Sequence, residues 1–262
     1  MSLTNEQVKE LADSLWSAEE THNFIPPLTD SYPELSPDDA YRVQEQVLQY
    51  RLSSGRKVVG KKVGLTSVAM QKMLGIDTPD YGMIFDNMVL NDGAEVAFDS
   101  LQQPRVEPEI TFFLKKTLKG PDVTVEDVIE ATDYVVASLE VVGSRVADWK
   151  IKLADTIADN ASHMAAVIGS LKVDASEIDL VNEGLIFEKN GEEISRGTGA
   201  AVLDNPAKAV AWCANKLGEY GVPLNAGEFV MPGALVGMTP VSRGDLVVAK
   251  FDNLGSVSIK FV

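Results

Sequence analysis

The sequence predicts an α+β protein in which a mainly helical N-terminal region, residues 1–82, precedes a β-rich domain, residues 83–262. Three observations predict it. Helix-start patterns stand ahead of apolar residues at helical spacing in the first third of the chain. From about Met83 the texture changes to short apolar runs separated by turn residues. The chain closes on two such runs joined by Asp252-Asn-Leu-Gly255, a hairpin-type turn.

Taken in order, Thr4-Asn-Glu-Gln7 is a capping-box pattern, and Val8, Leu11 and Leu15 follow it at helical spacing. A polar, proline-containing stretch over 24–35 ends that helix. Ser36-Pro-Asp-Asp39 opens a second one, with serine as cap and proline in the first turn. Tyr41, Val43, Val47 and Leu48 form its apolar stripe, and Gly55 is a plausible stop. Residues 57–64 read as a strand, and 67–74 as a short helix closed by Gly75. Further strands are expected over 106–114, 134–142, 164–169, 184–189, 228–231, 246–251 and 256–262. Thr124 caps a short helix to about Thr132. Asn205-Pro206 starts another that runs through Trp212 and Leu217. No fixed-period repeat or low-complexity segment is present.

At 262 residues the chain suffices for one large domain, or for a core domain with a smaller appendage. No apolar run approaches a membrane span, and the N-terminus lacks the charged-then-apolar pattern of a signal peptide. A lone cysteine, Cys213, excludes an internal disulfide framework and fits a reducing cytoplasm. The only histidines, His22 and His163, leave no basis for a histidine-rich zinc site and little for a Ser-His-Asp triad. The net charge of −16 disfavours nucleic acid and anionic membranes as partners. A small anionic substrate binds such a chain only where lysines, arginines or a metal reverse the local field.

Three carboxylates carry most of the functional information. Glu107 and Glu109 alternate with Val106, Pro108 and Ile110, so in a strand both project to one face, which Thr111 continues. They could be a solvated strand face, and Pro108 between them suggests an edge strand or a strand start. Glu140 tips the balance. It stands alone in the apolar run Tyr134-Val-Val-Ala-Ser-Leu-Glu-Val-Val142, where an unpaired carboxylate would cost several kcal/mol. Carboxylates gathered in an apolar core need a positive partner, and all-oxygen ligation points to Mg2+ or Mn2+ rather than zinc.

Other segments carry less. In Gly60-Lys-Lys-Val-Gly-Leu-Thr66 the strand reading sends Lys61 and Lys62 to opposite faces, so at most one reaches a given site. Asp77-Thr-Pro-Asp-Tyr-Gly82 is a turn-forming cluster. Asp155-Thr-Ile-Ala-Asp-Asn-Ala-Ser162 is equally readable as caps and turns or as substrate contacts. Arg196-Gly-Thr-Gly-Ala200 fits no nucleotide fingerprint and reads as a hairpin or tight connection. Cys213 falls on an apolar helix face and reads as core.

Together these segments resemble the 2-keto-4-pentenoate hydratase family, within the fumarylacetoacetate hydrolase-like superfamily. The resemblance runs through Val59-Gly-Lys-Lys-Val-Gly-Leu-Thr66, Pro79-Asp-Tyr-Gly82, Gln103-Pro-Arg-Val-Glu-Pro-Glu109 and Leu139-Glu-Val-Val-Gly-Ser-Arg145. It continues through residues 155–162, Pro232-Gly-Ala-Leu235 and Leu254-Gly-Ser-Val-Ser258. It implies a mixed β-roll or barrel-like catalytic domain, a cation held by Glu107, Glu109 and Glu140, and Lys62 and Asp80 beside the substrate. Leu65 and Ser162, within matching segments, are expected substrate contacts. Two departures stand out. Pro108 replaces a small residue of the relatives, and Pro232 replaces a threonine whose hydroxyl could touch substrate, so position 232 is left out of the site.

The resemblance implies hydration of a 2-hydroxy-2,4-dienoate to a 4-hydroxy-2-oxo acid in aromatic meta-cleavage catabolism. It also implies a homo-oligomer, with association to a pathway enzyme as a further expectation. 4-Oxalocrotonate decarboxylase is the rival reading, because it shares the acids and the lysine. Fumarylacetoacetate-type C–C hydrolysis lacks its early histidine here. A non-catalytic partner subunit is the reading from another class, and the intact Glu107, Glu109, Glu140, Lys62 and Asp80 argue against it.

Overall fold

The four helix starts expected at Thr4, Ser36, Thr124 and Asn205 are all present in the computed structural model, which describes residues 2–67, 71 and 78–262. Helix α1 (Asn5–Thr21) carries the reciprocal Thr4–Gln7 capping box. Helix α2 (Leu28–Ser31) is a single turn, and α3 (Pro37–Ser53) starts on the Ser36 hydroxyl, which accepts from the Asp39 amide. Thr124 caps α4 (Val125–Ala131), α5 spans Leu153–Ala158, and Asn205 caps α6 (Pro206–Gly218). The helix expected over 67–74 lies largely outside the described residues.

The strands form two sheets. The larger runs β2 (Asp80–Phe85), β1 (Val58–Gly64), β10 (Phe229–Met231), β5 (Arg105–Leu114), β6 (Thr132–Val142), β7 (His163–Ile168) and β3 (Val89–Asn91), with β11 (Thr239–Pro240) also on β5. The smaller runs β4 (Ala94–Val96), β13 (Ser256–Phe261), β12 (Leu246–Phe251), β8 (Gly184–Lys189) and β9 (Glu192–Thr198). Strands β12 and β13 pack across β6 and β7, and one apolar core joins Ile110, Phe112, Leu139, Val141, Val247 and Ile259. Inward faces of both sheets are apolar, which holds the second sheet against the first. The fold class is α+β, with the large sheet curled as a half-barrel.

A separate apolar cluster lies between α1, α3 and α5, built on Val8, Leu11, Leu15, Val43, Val47 and Ile157. Strands β1 and β2, on the N-terminal side of the expected 82/83 division, are hydrogen-bonded into the large sheet. The reading of Arg196–Ala200 as a hairpin corresponds to β8–β9, which turn at Asn190-Gly191. One expectation is corrected. Pro108 marks neither an edge nor a strand start, because it sits in the middle of β5 opposite Leu139. It is tolerated there because β10 leaves β5 after Phe112 and β11 joins only at Val106, so no neighbouring strand asks for its missing N–H.

Candidate active site

Register builds the site. In the β5–β6 ladder Glu107 stands directly opposite Glu140, and Glu109 opposite Ser138, so alternation puts all three carboxylates on one face. One ligand oxygen from each lies within 4.8 Å of the others. Glu109 and Glu140 are fully buried, and Glu107 is partly exposed. Further along the same face the Thr111 and Ser138 hydroxyls share a 2.6 Å hydrogen bond.

Beyond the end of β10 at Met231, the chain crosses this flank of β5. Gly233 N–H donates to Glu109 Oε2 at 2.8 Å, and Leu235 N–H donates to Pro108 O at 3.0 Å. Gly233 adopts φ +120°, and a Cβ there would stand 2.0 Å from Thr66 Oγ1, so the close approach requires glycine.

Lys62 comes from β1. Its Nζ donates to Ala161 O at 2.9 Å and lies 3.4 Å from Glu140 Oε1. Lys61 points the other way and pairs with Glu228, as strand alternation requires. Asp80 is the first residue of β2 and pairs opposite Gly64. Its Oδ1 would stand 2.2 Å from a Cβ on Gly64, and Lys62 Nζ 3.0 Å from it, so the two groups are neighbours over a glycine. The turn-forming reading of residues 77–82 missed β2, because Asp80–Phe85 is buried throughout and shows no alternation.

The electrostatics follow from crowding. Burial pushes the Glu107 carboxyl up to about 7, with Glu140 adding to the push. Glu109 is raised well above the carboxylate range by burial and by its neighbours Glu140 and Glu107. Burial also raises Asp80, against the pull of Lys62. Glu140 is the exception. Burial works against its charge, but Lys62 and His163 hold its carboxyl below the ordinary value. Lys62 is likewise opposed by burial, yet Glu140, Asp80, Glu107 and Glu109 keep it protonated.

Glu109 Oε1, Glu140 Oε2 and Asp80 Oδ1 are buried with no hydrogen-bond donor. The oxygens left unpartnered on Glu109 and Glu140, in a group that Glu107 completes, fit a hard divalent cation, which takes oxygen ligands. The residues present therefore suit a cation at Glu107, Glu109 and Glu140.

Leu65 and Ser162 adjoin residues of this site along the chain. Leu65 follows Gly64 in left-handed backbone, φ 57°, and its carbonyl accepts from Gln71 at 2.7 Å. Ser162 is buried between Ala161, which accepts from Lys62, and His163, which touches Glu140. Its hydroxyl lies 3.1 Å from that of Thr156. The polar segment 155–162 acts largely as scaffold. Asp155 binds Thr29 and the Lys152 amide, and Asn160 clasps Met83 of β2 through both backbone groups. Asp159 pairs with Arg145, both buried.

His163, Arg145, Asp159 and Gly233 were not among the expected site residues. Their sequence signals are weak: single residues whose partners lie at distances no local pattern encodes.

The pattern of the fumarylacetoacetate (FAA) hydrolase C-terminal family matches residues 57–262, so the chain belongs to the FAA hydrolase family. Its full-length relatives narrow the placement to the 2-keto-4-pentenoate hydratases within it. The 2-keto-4-pentenoate hydratase of Paraburkholderia xenovorans (strain LB400) is 44% identical over 259 residues, covering 99% of this chain and 96% of that one. The 4-oxalocrotonate decarboxylase of Pseudomonas sp. (strain CF600) is 39% identical over 261 residues, covering 100% and 99%. The solved structure of 4-oxalocrotonate decarboxylase from Pseudomonas putida G7, complexed with magnesium and adipate, superposes with a TM-score of 0.96 at 39% identity, covering 100% and 99% of the two chains.

Proposed function

We propose that this chain is a metal-dependent hydratase that adds water to a 2-hydroxy-2,4-dienoate, of the 2-hydroxypenta-2,4-dienoate type, to give a 4-hydroxy-2-oxo acid in aromatic meta-cleavage catabolism. The observation that carries it is Lys62 and a donor-free Asp80 oxygen side by side over Gly64, next to a three-carboxylate cluster. Glu107, Glu109 and Glu140 would hold the cation, and their all-oxygen set favours Mg2+ or Mn2+. When bound, that cation supplies Lewis acidity toward the substrate's carboxylate and C2 oxygens.

The remaining work falls to side chains of this chain. Going from the dienol to the 2-oxo-3-enoate, the C2 hydroxyl loses a proton and C5 gains one. Water oxygen then bonds to C4, and a proton arrives at C3. Asp80, raised by burial and with Oδ1 free of donors among the described residues, is suited to exchange protons or to orient the group that does. Lys62 stays charged and serves as proton donor or as anchor for the substrate carboxylate. Leu65 and Ser162 would line the same substrate. The reading extends to a cytoplasmic homo-oligomer, which sedimentation of the purified protein would check.

The rival keeps the same acids and loses carbon dioxide instead. It is favoured by the near-complete superposition on a decarboxylase. Offering 2-hydroxypenta-2,4-dienoate and 2-oxo-3-hexenedioate separately, with Mg2+ or Mn2+, separates the two. Loss of dienoate absorbance without carbon dioxide supports hydration, and carbon dioxide released from the diacid supports decarboxylation. Lys62→Ala and Asp80→Asn are expected to bind Mn2+ and lose turnover. Parent-like rates in both would sink the assignment of their roles.

A further inference from the structure

His163 is fully buried, and no step above uses it. It opens β7, where Glu140 faces Ala166 and Val141 faces Ala165. An uninterrupted ladder would next set Val142 opposite Met164, leaving His163 on the face away from Glu140. The register shifts instead, and Val142 faces His163. A bulge of this kind re-aims a side chain, and here it turns the imidazole onto the carboxylate face. The displaced Met164 fits because position 143 is glycine: a Cβ there would stand 2.0 Å from Met164 Sδ.

The re-aimed ring meets one atom. His163 Nδ1 lies 2.7 Å from Glu140 Oε1, the oxygen that Lys62 also approaches. Glu140 Oε2 has no donor, and neither does His163 Nε2 have a partner among the described residues. A bare ring nitrogen is less costly to bury than an unpaired N–H, so the proton belongs on Nδ1, donating to Glu140. We propose that His163 is a positioning residue for Glu140: with Lys62 it occupies Oε1, fixes the carboxylate plane, and leaves Oε2 as the single free ligand oxygen. Ligating carboxylates are commonly oriented by such hydrogen bonds, and losing one costs about 10–100-fold in metal affinity.

This inference rests on the metal reading above, and the experiment separates the two. Mn2+ is titrated calorimetrically into the parent, Glu109→Gln, His163→Leu, His163→Asn and His163→Gln, with folding checked by circular dichroism. Asparagine presents an amide N–H near the Nδ1 position, whereas glutamine places it one bond further out. The expected result is an Mn2+ Kd raised about 10–100-fold in His163→Leu and His163→Gln, with His163→Asn close to the parent. A folded His163→Leu with the parent Kd overturns the proposal. If the leucine variant does not fold, equal affinities for His163→Asn and His163→Gln overturn it. A parent that binds no Mn2+ removes the metal reading itself, and the proposal with it.

Discussion

Glu109→Gln tests the carboxylate cluster through stability rather than turnover. Among the described residues a single ammonium, Lys62, meets Asp80, Glu107, Glu109 and Glu140. Burial and its acidic neighbours raise the Glu109 carboxyl, so the folded state holds that proton more tightly than the unfolded chain does. Stability from this group is full below the unfolded value and is lost as pH rises toward the folded one. At pH 8 the metal-free protein has therefore lost stability at this group, by holding the proton or by carrying the charge. Glutamine removes the titrating carboxyl and keeps an oxygen for the Gly233 N–H, so the metal-free variant should melt at or above the parent. Cation binding reverses the order. Free Mg2+ at about 100 times Kd stabilises the parent by about 2.7 kcal/mol, which for a chain of this size raises Tm by about 5–10 °C. A hundredfold weaker variant gains about 0.4 kcal/mol, or about 1–2 °C. Scanning calorimetry at pH 8, with chelator and then with Mg2+, reads both effects. A metal-free variant melting well below the parent, or one gaining as much from Mg2+, would refute the reasoning.

Gly233→Ala forces a methyl onto Thr66 and places alanine at φ +120°. It should lose about 1–3 kcal/mol in urea unfolding and weaken Mn2+ binding, because the amide on Glu109 moves. Glu19 is held down to about 2: burial opposes its charge, but Arg51, Arg145 and Arg56 outweigh it. Its contribution is present above about 4.5 and is lost as pH falls toward 2. The stability gap between parent and Glu19→Gln should accordingly narrow across that window by up to about 3 kcal/mol in urea titrations, and a pH-independent gap would contradict it. Arg145→Met leaves Asp159 buried and unpaired, at a cost of about 3–5 kcal/mol. Adding Asp159→Asn should recover most of that, since the amide oxygen still accepts from the Arg145 backbone N–H; additive losses in the double variant would count against it.

The parts of the site that could be read from sequence are those set by local periodicity. Two glutamates two residues apart share a strand face whatever the strand pairs with, and a glutamate inside an apolar run declares its own burial. Capping residues worked the same way, because Thr4, Ser36, Thr124 and Asn205 act within three residues of themselves. What could not be read depends on other strands. Asp80 looked like a turn residue because the turn pattern runs straight into a fully buried strand. That strand contains Gly82, where a Cβ would meet Asn160 O at 2.4 Å, a contact 78 positions away in the chain. The orientation of His163 hangs on a bulge, and no residue in β7 announces one. Arg145 and Asp159 meet because the intervening chain turns back at two residues with positive φ, Asp148 and Trp149, and returns through α5. Pro108 misled for the reverse reason: its local meaning is an edge strand or a strand start, yet it stands in mid-strand, where the gap between β10 and β11 leaves its missing N–H without a partner strand.

The β5–β6 ladder breaks a rule of sheet stability. Like charges directly across a ladder destabilise it, yet Glu107 faces Glu140 and Glu109 stands beside them. A one-residue slip would separate the acids, but it would also throw Leu139 and Val141 off the apolar face they share with Val106, Ile110 and Phe112, all fully buried. The apolar side thus holds the register, and the acidic side is carried with it. Conflict between a local rule and the global fold is expected where function, not stability, has set the residues. Among the described residues one ammonium stands against four carboxyl groups, in a chain of net charge −16, an environment that does not by itself favour an anion. A divalent cation at Glu107, Glu109 and Glu140 would relieve the crowding and make the site more favourable to an anion, so the acids that strain the metal-free fold are also the ones suited to hold it.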